Sequence, residues 1–138
     1  MEQRISFVTL AVRDLAATRA FYVDGLGWTP ELEAPDVLMF RVGERLMLSL
    51  WDRAGFEAEV GPIADGPGLV PVTLAHNVAT REDVDEVLGT ARRAGATRVD
   101  DARDREWGGY TGYAADPDGF RWEIAVNTGM EHLVVPSP

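Results

Sequence analysis

Cysteine is absent from this chain, which excludes disulfides, thiolate metal sites and a cysteine nucleophile together. Nothing then ties the protein to an oxidising compartment, and a reducing cytoplasm is expected. Histidine occurs only twice, at positions 76 and 132. No apolar run approaches the ~20 residues that a membrane helix needs. Met1-Glu2-Gln3-Arg4 leads directly into a short apolar segment, so no signal peptide is expected. Basic residues are few: 13 against 23 acidic ones, a formal charge of −10. Such a field repels phosphate backbones, which argues against nucleic acid and favours neutral or cationic small molecules as partners. No glycine-rich loop opens a helix to cradle phosphate, because Gly108-Gly109 precedes a strand-like run. No Ser-His-Asp arrangement is readable.

What is present is ordinary globular material, 46% hydrophobic and 26% charged, of a length that suits one domain over residues 1–138. The informative feature is internal repetition. Val8-Thr9-Leu10-Ala11 recurs as Val72-Thr73-Leu74-Ala75. Further on, Gly43-Glu44-Arg45-Leu46-Met47-Leu48-Ser49-Leu50 aligns with Gly119-Phe120-Arg121-Trp122-Glu123-Ile124-Ala125-Val126. The two echoes fall in the same order, at the head and tail of each half. They divide the chain into a first unit over about 5–53, a linker over about 54–68, a second unit over about 69–127 and a tail over 128–138.

Each half reads as strand, helix and three strands. Ile5–Val12 and Val70–Val78 are β-rich. Asp14 is an N-cap for a helix over Leu15–Asp24, with Leu15, Thr18, Phe21 and Tyr22 at helical spacing and Gly25 as the stop. Thr80 with Asp83 forms a capping-box-like start, Val84, Val87, Leu88 and Ala91 make one apolar stripe, and Gly95 ends the helix. Strands are predicted over Trp28–Leu32, Val37–Val42 and Arg45–Trp51, then over Thr97–Val99, Tyr110–Ala115 and Phe120–Val126. Asp116-Pro117-Asp118-Gly119 makes a tight turn before the last of these. The fold class is therefore α+β: two tandem βαβββ units whose curled mixed sheet forms a cup with the helices outside.

Strand alternation assigns faces. Trp122, Ile124 and Val126 should face the helices, and Glu123, Ala125 and Asn127 the cavity. By the repeat, Met47, Ser49 and Trp51 line it from the other half, as do Phe7, Thr9 and Ala11, and Pro71, Thr73, Ala75 and Asn77. Glu123 is the best candidate for chemistry. A carboxylate in an apolar cup beside Phe7 and Met47 should have a raised pKa and could serve as general acid or base. The bland alternative is a carboxylate tied up by Thr9 or Thr73. Trp51 faces the mouth, and Trp107-Gly108-Gly109-Tyr110 is an aromatic loop leading to Tyr113, able to close on a flat ligand. The alternative for these rings is rim packing. Trp28 and Trp122 are assigned to packing, and His76 to a hydrogen-bonded place in the core, or to a proton shuttle should a strand bulge turn it inward. Arg13 is the basic residue placed near the mouth.

Two stretches then carry a family resemblance. Ser6-Phe7-Val8-Thr9-Leu10-Ala11-Val12-Arg13-Asp14-Leu15, with Ala20-Phe21-Tyr22 and Gly25-Leu26-Gly27-Trp28, resembles the opening of the vicinal oxygen chelate superfamily. That superfamily contains glyoxalase I, extradiol dioxygenases, fosfomycin resistance enzymes and bleomycin resistance proteins. Tyr113-Ala114-Ala115-Asp116-Pro117-Asp118-Gly119-Phe120-Arg121-Trp122-Glu123-Ile124 is similar to its closing signature. The resemblance implies four metal-ligand positions, which fall here on Phe7, Met47, Pro71 or Thr73, and Glu123. Of these only Glu123 is a useful ligand, so no family-type metal site and no cofactor are expected. The resemblance also implies a homodimer.

Two functions follow as expectations. The first is a non-catalytic, metal-independent binding protein like the bleomycin resistance branch, sequestering an aromatic or cationic compound. Its ligand-binding residues would be Phe7, Thr9, Met47, Trp51, Thr73, Asn77, Trp107, Tyr110, Tyr113 and Glu123. The second is a metal-free isomerase, epimerase or lyase with Glu123 as the base. A structural or regulatory role has room, but no residue argues for it.

Overall fold

A computed structural model describes residues 1–135, and the chain divides into two compact units, Met1–Pro67 and the part beginning at Gly68. The first contains β1 (Phe7–Val12), α1 (Leu15–Arg19, prolonged by a π-helical segment over Ala20–Gly25), β2 (Leu32–Ala34), β3 (Val37–Gly43), β4 (Leu46–Asp52) and α2 (Arg53–Glu59). The second contains β5 (Thr73–Asn77), α3 (Arg81–Arg93), β6 (Arg98–Asp104), β7 (Tyr110–Ala115), β8 (Arg121–Val126) and a short α4 (Glu131–Val134). Each unit carries one open four-stranded mixed sheet, ordered β1-β4-β3-β2 and β5-β8-β7-β6. The predicted α+β class with tandem βαβββ units is what the structure has. No helix among the described residues is long and apolar enough to cross a membrane.

Both helices after the opening strands start where their caps dictate. The Asp14 carboxylate accepts from the backbone N–H of Ala16 and Ala17 at 2.9 and 3.1 Å. At Thr80 the capping box is complete, with Thr80 Oγ1 accepting from the Asp83 N–H and Asp83 accepting in return from the Thr80 N–H. Caps of this kind satisfy N–H groups that have no partner in the first turn. The first helix closes through Leu26 N–H bonding to Phe21 O, and Gly27 at φ +76° turns the chain out.

In each unit one sheet face packs on a helix. Leu10, Val12, Leu38, Phe40, Leu48 and Leu50 are buried with Phe21 and Tyr22. Tyr22, Trp28 and Phe40 form an aromatic cluster with ring centroids 5.2–5.8 Å apart. Trp28 therefore packs, as predicted. In the second unit Val84, Leu88 and Ala91 of α3 meet Ala114 and Ile124, with Trp122 and Val126 against them.

Several elements differ from the predicted ones. The strand expected over Trp28–Leu32 shrinks to Leu32–Ala34, because Pro30 has no N–H to give a ladder and Trp28 is committed to the core. The expected linker holds α2, started by Asp52, whose side chain accepts from the Gly55 N–H. The strand expected over Thr97–Val99 runs on to Asp104 past an irregularity between Asp100 and Arg103. It is an edge strand, where charged side chains are tolerated, so its acidic composition misled the reading. His76 was expected in the core and is instead exposed, on the edge strand β5. Protein beside its ring still lowers its pKa through desolvation. The tail holds α4, and the side chain of His132 lies outside the described ones.

Gly112 is closely enclosed, in part by backbone. A Cβ there would lie 2.4 Å from Leu88 Cδ1, 2.9 Å from the Asp100 carbonyl oxygen and 3.0 Å from the Ala102 nitrogen. Two of those atoms are backbone and cannot rotate away. We predict that Gly112→Ala destabilises the protein by about 1–3 kcal/mol, the usual cost of overpacking. A urea unfolding midpoint equal to that of the wild type would refute this.

Candidate functional site

The two parallel pairs determine what shares a face. In the first unit Phe7 lies across from Met47, Thr9 from Ser49 and Ala11 from Trp51. Met39 and Val37 continue the rows of Ser49 and Trp51 on β3. This face is turned away from α1, and Phe7 on it is 54% exposed. Trp51 ends the row. Its ring meets Phe56 of α2 at 6.1 Å, and Gly55 leaves the space the indole occupies, since a Cβ there would fall 2.7 Å from Nε1. Trp51 is thus wedged by α2.

In the second unit the corresponding face carries Thr73, Ala75 and Asn77 on β5, Arg121, Glu123 and Ala125 on β8, and Ala115, Tyr113 and Thr111 on β7. Glu123 lies between Ala75 and Tyr113. The Tyr113 hydroxyl donates to Glu123 Oε1 at 3.2 Å. Arg105 approaches the Tyr113 ring, its guanidinium carbon 5.7 Å from the centroid, and donates to the Thr111 carbonyl at 3.0 Å. Glu123 is half-buried, and its immediate surroundings are polar rather than greasy. The Tyr113 phenol has its pKa raised, first by burial and then by the adjacent Glu123 charge and hydrogen bond. It is held neutral and able to donate.

Two atoms on this face lack what their neighbours have. Arg121 Nη1 and Thr111 Oγ1 are buried and have no hydrogen-bond partner among the described residues. A buried polar atom left in that condition costs about 1–3 kcal/mol. Sequence reading passed over both, along with Arg105. The alternation that placed Glu123 on this face also places Arg121 there, two residues earlier. Arg13, chosen in its stead, lies just beyond β1, where its charge helps to hold the Asp65 carboxyl below the usual range, behind the larger effect of Arg53.

The aromatic loop splits. Tyr110 lies on the other face of the sheet, donating to Asp85 of α3 at 3.0 Å with the Arg81 guanidinium carbon 4.8 Å over its ring. That hydrogen bond, then burial, raises its pKa. Trp107 is 54% exposed, and its ring lies on Gly109, where a Cβ would come within 1.8 Å of it. The glycine provides a seat for the indole. Phe7, Thr9, Met47 and Trp51 therefore share a face of the first unit, and Thr73, Asn77, Tyr113 and Glu123 a face of the second. Tyr110 is apart from them.

A metal would need donors at the four positions that the resemblance implies. Phe7 and Met47 form one cross-strand pair. Across from Glu123 the register puts Ala75, with Thr73 one row away and Pro71 before the strand begins. A phenyl ring, a thioether, a methyl group and one carboxylate do not fit a divalent ion. No cluster of three or more His, Cys, Asp or Glu side chains suited to a metal occurs among the described residues.

Paired βαβββ units with an acidic residue on the closing strand define a class of small α+β proteins built by duplication. The chain belongs to the Glyoxalase/Bleomycin resistance protein/Dioxygenase superfamily, whose family model matches residues 4–124. Among solved structures it is similar to a glyoxalase-related enzyme from Fulvimarina pelagi, with 32% identity, 91% of this chain and 89% of that one covered, and a TM-score of 0.82. It is also similar to a glyoxalase/bleomycin resistance protein/dioxygenase from Nocardioides, with 25% identity, 94% and 87% coverage, and a TM-score of 0.76. A lactoylglutathione lyase from Agrobacterium tumefaciens is similar at 25% identity, 92% and 96% coverage, and a TM-score of 0.68. Comparison with curated proteins gives no significant match.

The raised tyrosines generate a prediction. Tyr113 and Tyr110 should ionise above the ordinary value of about 10. Glu123→Gln should lower the first and Asp85→Asn the second, followed by tyrosinate absorbance during alkaline titration. A raised folded-state pKa contributes stability that is present below the unfolded value and lost as pH rises through the folded values. Stability should accordingly fall on the alkaline side, and less steeply in the double variant. Unmoved titration curves in both variants would refute the assigned contacts.

Proposed function

We propose that this chain is a metal-independent small-molecule binding protein of the bleomycin resistance kind, holding an aromatic or cationic compound. The carrying observation is the donor set: of the positions through which the superfamily's enzymes hold an ion, Glu123 alone bears a ligating side chain. In place of further ligands the same sheet faces offer Phe7, Met47 and Trp51 in one unit and Tyr113 beside Glu123 in the other. Apolar and aromatic area with a few placed polar groups is the usual make-up of a small-molecule site. A homodimer belongs to the same proposal on the strength of the resemblance, and a reducing cytoplasm on that of the cysteine-free composition.

A second reading is favoured by one contact. The Tyr113 hydroxyl on Glu123 is the geometry of a carboxylate oriented by a neutral donor, which suits a metal-free acid–base enzyme. In that case Glu123→Gln abolishes turnover and leaves ligand affinity intact.

Titration of tryptophan fluorescence with aromatic and cationic compounds should give saturable changes reported by Trp51 and Trp107. Silence across a broad panel, from folded protein, would sink the binding reading. Elemental analysis should find well under one equivalent of divalent metal, and a near-stoichiometric metal would overturn metal independence. Sedimentation at about 10 µM should show a dimer, since obligate dimers persist at such concentrations.

A further inference from the structure

We infer that the β7–β8 face of the second unit binds a carboxylate through Arg121, with Glu123 taking an N–H or O–H donor beside that carboxylate on the same ligand. This rests on the small-molecule reading above and names the ligand class.

Arg121 is half-buried, with Nη1 enclosed and unpartnered, in a chain that has 23 acidic residues to offer. Arg19, Arg41, Arg53 and Arg81, by contrast, each sit on a carboxylate. The nearest acid along the turn, Asp116, is engaged by backbone: its Oδ1 accepts from the N–H groups of Asp118 and Phe120 at 3.0 and 2.9 Å. Arg45, which the internal repeat aligns with Arg121, is 86% exposed and lies 3.9 Å from Glu44. The enclosure of Arg121 is thus particular to the second unit.

Glu123 is the obvious partner and is not used. Arg98 and Asp100 have the same i, i+2 spacing on β6 and pair directly at 2.8 Å. The spacing therefore permits a bond. On β8 the two charges stay apart, Glu123 taking the Tyr113 hydroxyl and Arg121 Nη1 taking nothing. A cation and an anion on one sheet face, unpaired with each other, match a ligand carrying an acceptor for the first and a donor for the second. Thr111 Oγ1, also buried and unpartnered, lies one row beyond Glu123 on the side away from Arg121, so the orphaned polar atoms bracket the Tyr113–Glu123 pair.

Geometry and charge favour a carboxylate over a phosphate, since it carries one negative charge rather than two. One guanidinium edge matches one carboxylate in planar geometry. A phosphate dianion would meet the adjacent Glu123 and the −10 field of the chain, with no glycine-rich helix start to offset either. The class is an aromatic or other apolar acid bearing an amino or hydroxyl group next to its carboxylate.

The experiment uses 3-phenyllactate, its neutral amide 3-phenyllactamide and the donor-free acid 3-phenylpropionate as probes, titrated calorimetrically into the full chain. Wild-type protein should bind phenyllactate at least about tenfold more tightly than the amide, as expected for a charge-assisted hydrogen bond. Arg121→Met should remove that preference and Arg121→Lys keep part of it. Glu123→Gln should weaken phenyllactate without weakening phenylpropionate. Thermal unfolding separates recognition from packing: an unpaired buried charge held for a ligand predicts that Arg121→Met melts no lower than the wild type, and a lower melting point would overturn the inference. It also fails if acid and amide bind alike, if Arg121→Met binds phenyllactate undiminished, or if the wild type ignores all three probes. In that last case, saturable binding of other aromatic or cationic compounds leaves the broader reading standing without this one.

Discussion

A parallel pair of strands cannot be closed by a tight turn, so the first strand of each unit reaches the last only by a crossover through a helix. The pairings β1 with β4 and β5 with β8 are the contacts on which both units depend. They place residues from opposite ends of a unit side by side and fix the register that sorts each side chain to the helix or away from it. A slip of one residue on β8 would send Glu123 and Arg121 into the α3 core and bring Trp122 and Ile124 out. The hydrophobic stripe of α3 prevents this, since Val84, Leu88 and Ala91 need Ile124 and Ala114 against them. Packing on one face thereby holds the polar arrangement on the other.

That arrangement is economical in donors and acceptors. Tyr113 is kept neutral by burial and by Glu123, and it occupies one carboxylate oxygen. Arg105 spans from the Tyr113 ring to the Thr111 carbonyl and so steadies β7 from the loop side. Within this framework the buried and unpartnered Nη1 of Arg121 departs from the rule that buried polar groups are hydrogen-bonded. A protein can carry such an exception where something outside the chain completes it. Of the positions that the resemblance implies for an ion, Phe7, Met47, Pro71 or Thr73, and Glu123, only the last carries a carboxylate.

Much of the fold was legible because it is written in local signals. The caps Asp14 and Thr80, the stripe on α3, and the turn at Asp116–Gly119 act within a few residues and need no tertiary partner to be recognised. Where the reading failed, a nonlocal effect had overridden composition. Acidic β6 is a strand because it lies at an edge; Pro30 and the pull of Trp28 into the core shorten β2; Asp52 starts a helix within a glycine- and proline-rich stretch. His76 has the alternation of a core residue, and its place on an edge strand exposes it.

By itself the sequence determined the duplication, the class, the face of Glu123 and the poverty of metal ligands, because each follows from periodicity two, periodicity 3.6 or side-chain chemistry. Tertiary structure alone decided which polar groups find one another. Arg98 meets Asp100 and Arg121 does not meet Glu123, although the spacing is identical. Alternation says only that two side chains share a face. Whether they bond depends on the tertiary surroundings: across from Glu123 the neighbouring strand presents Tyr113, whose hydroxyl bonds Oε1, while Arg121 Nη1 is left without a partner.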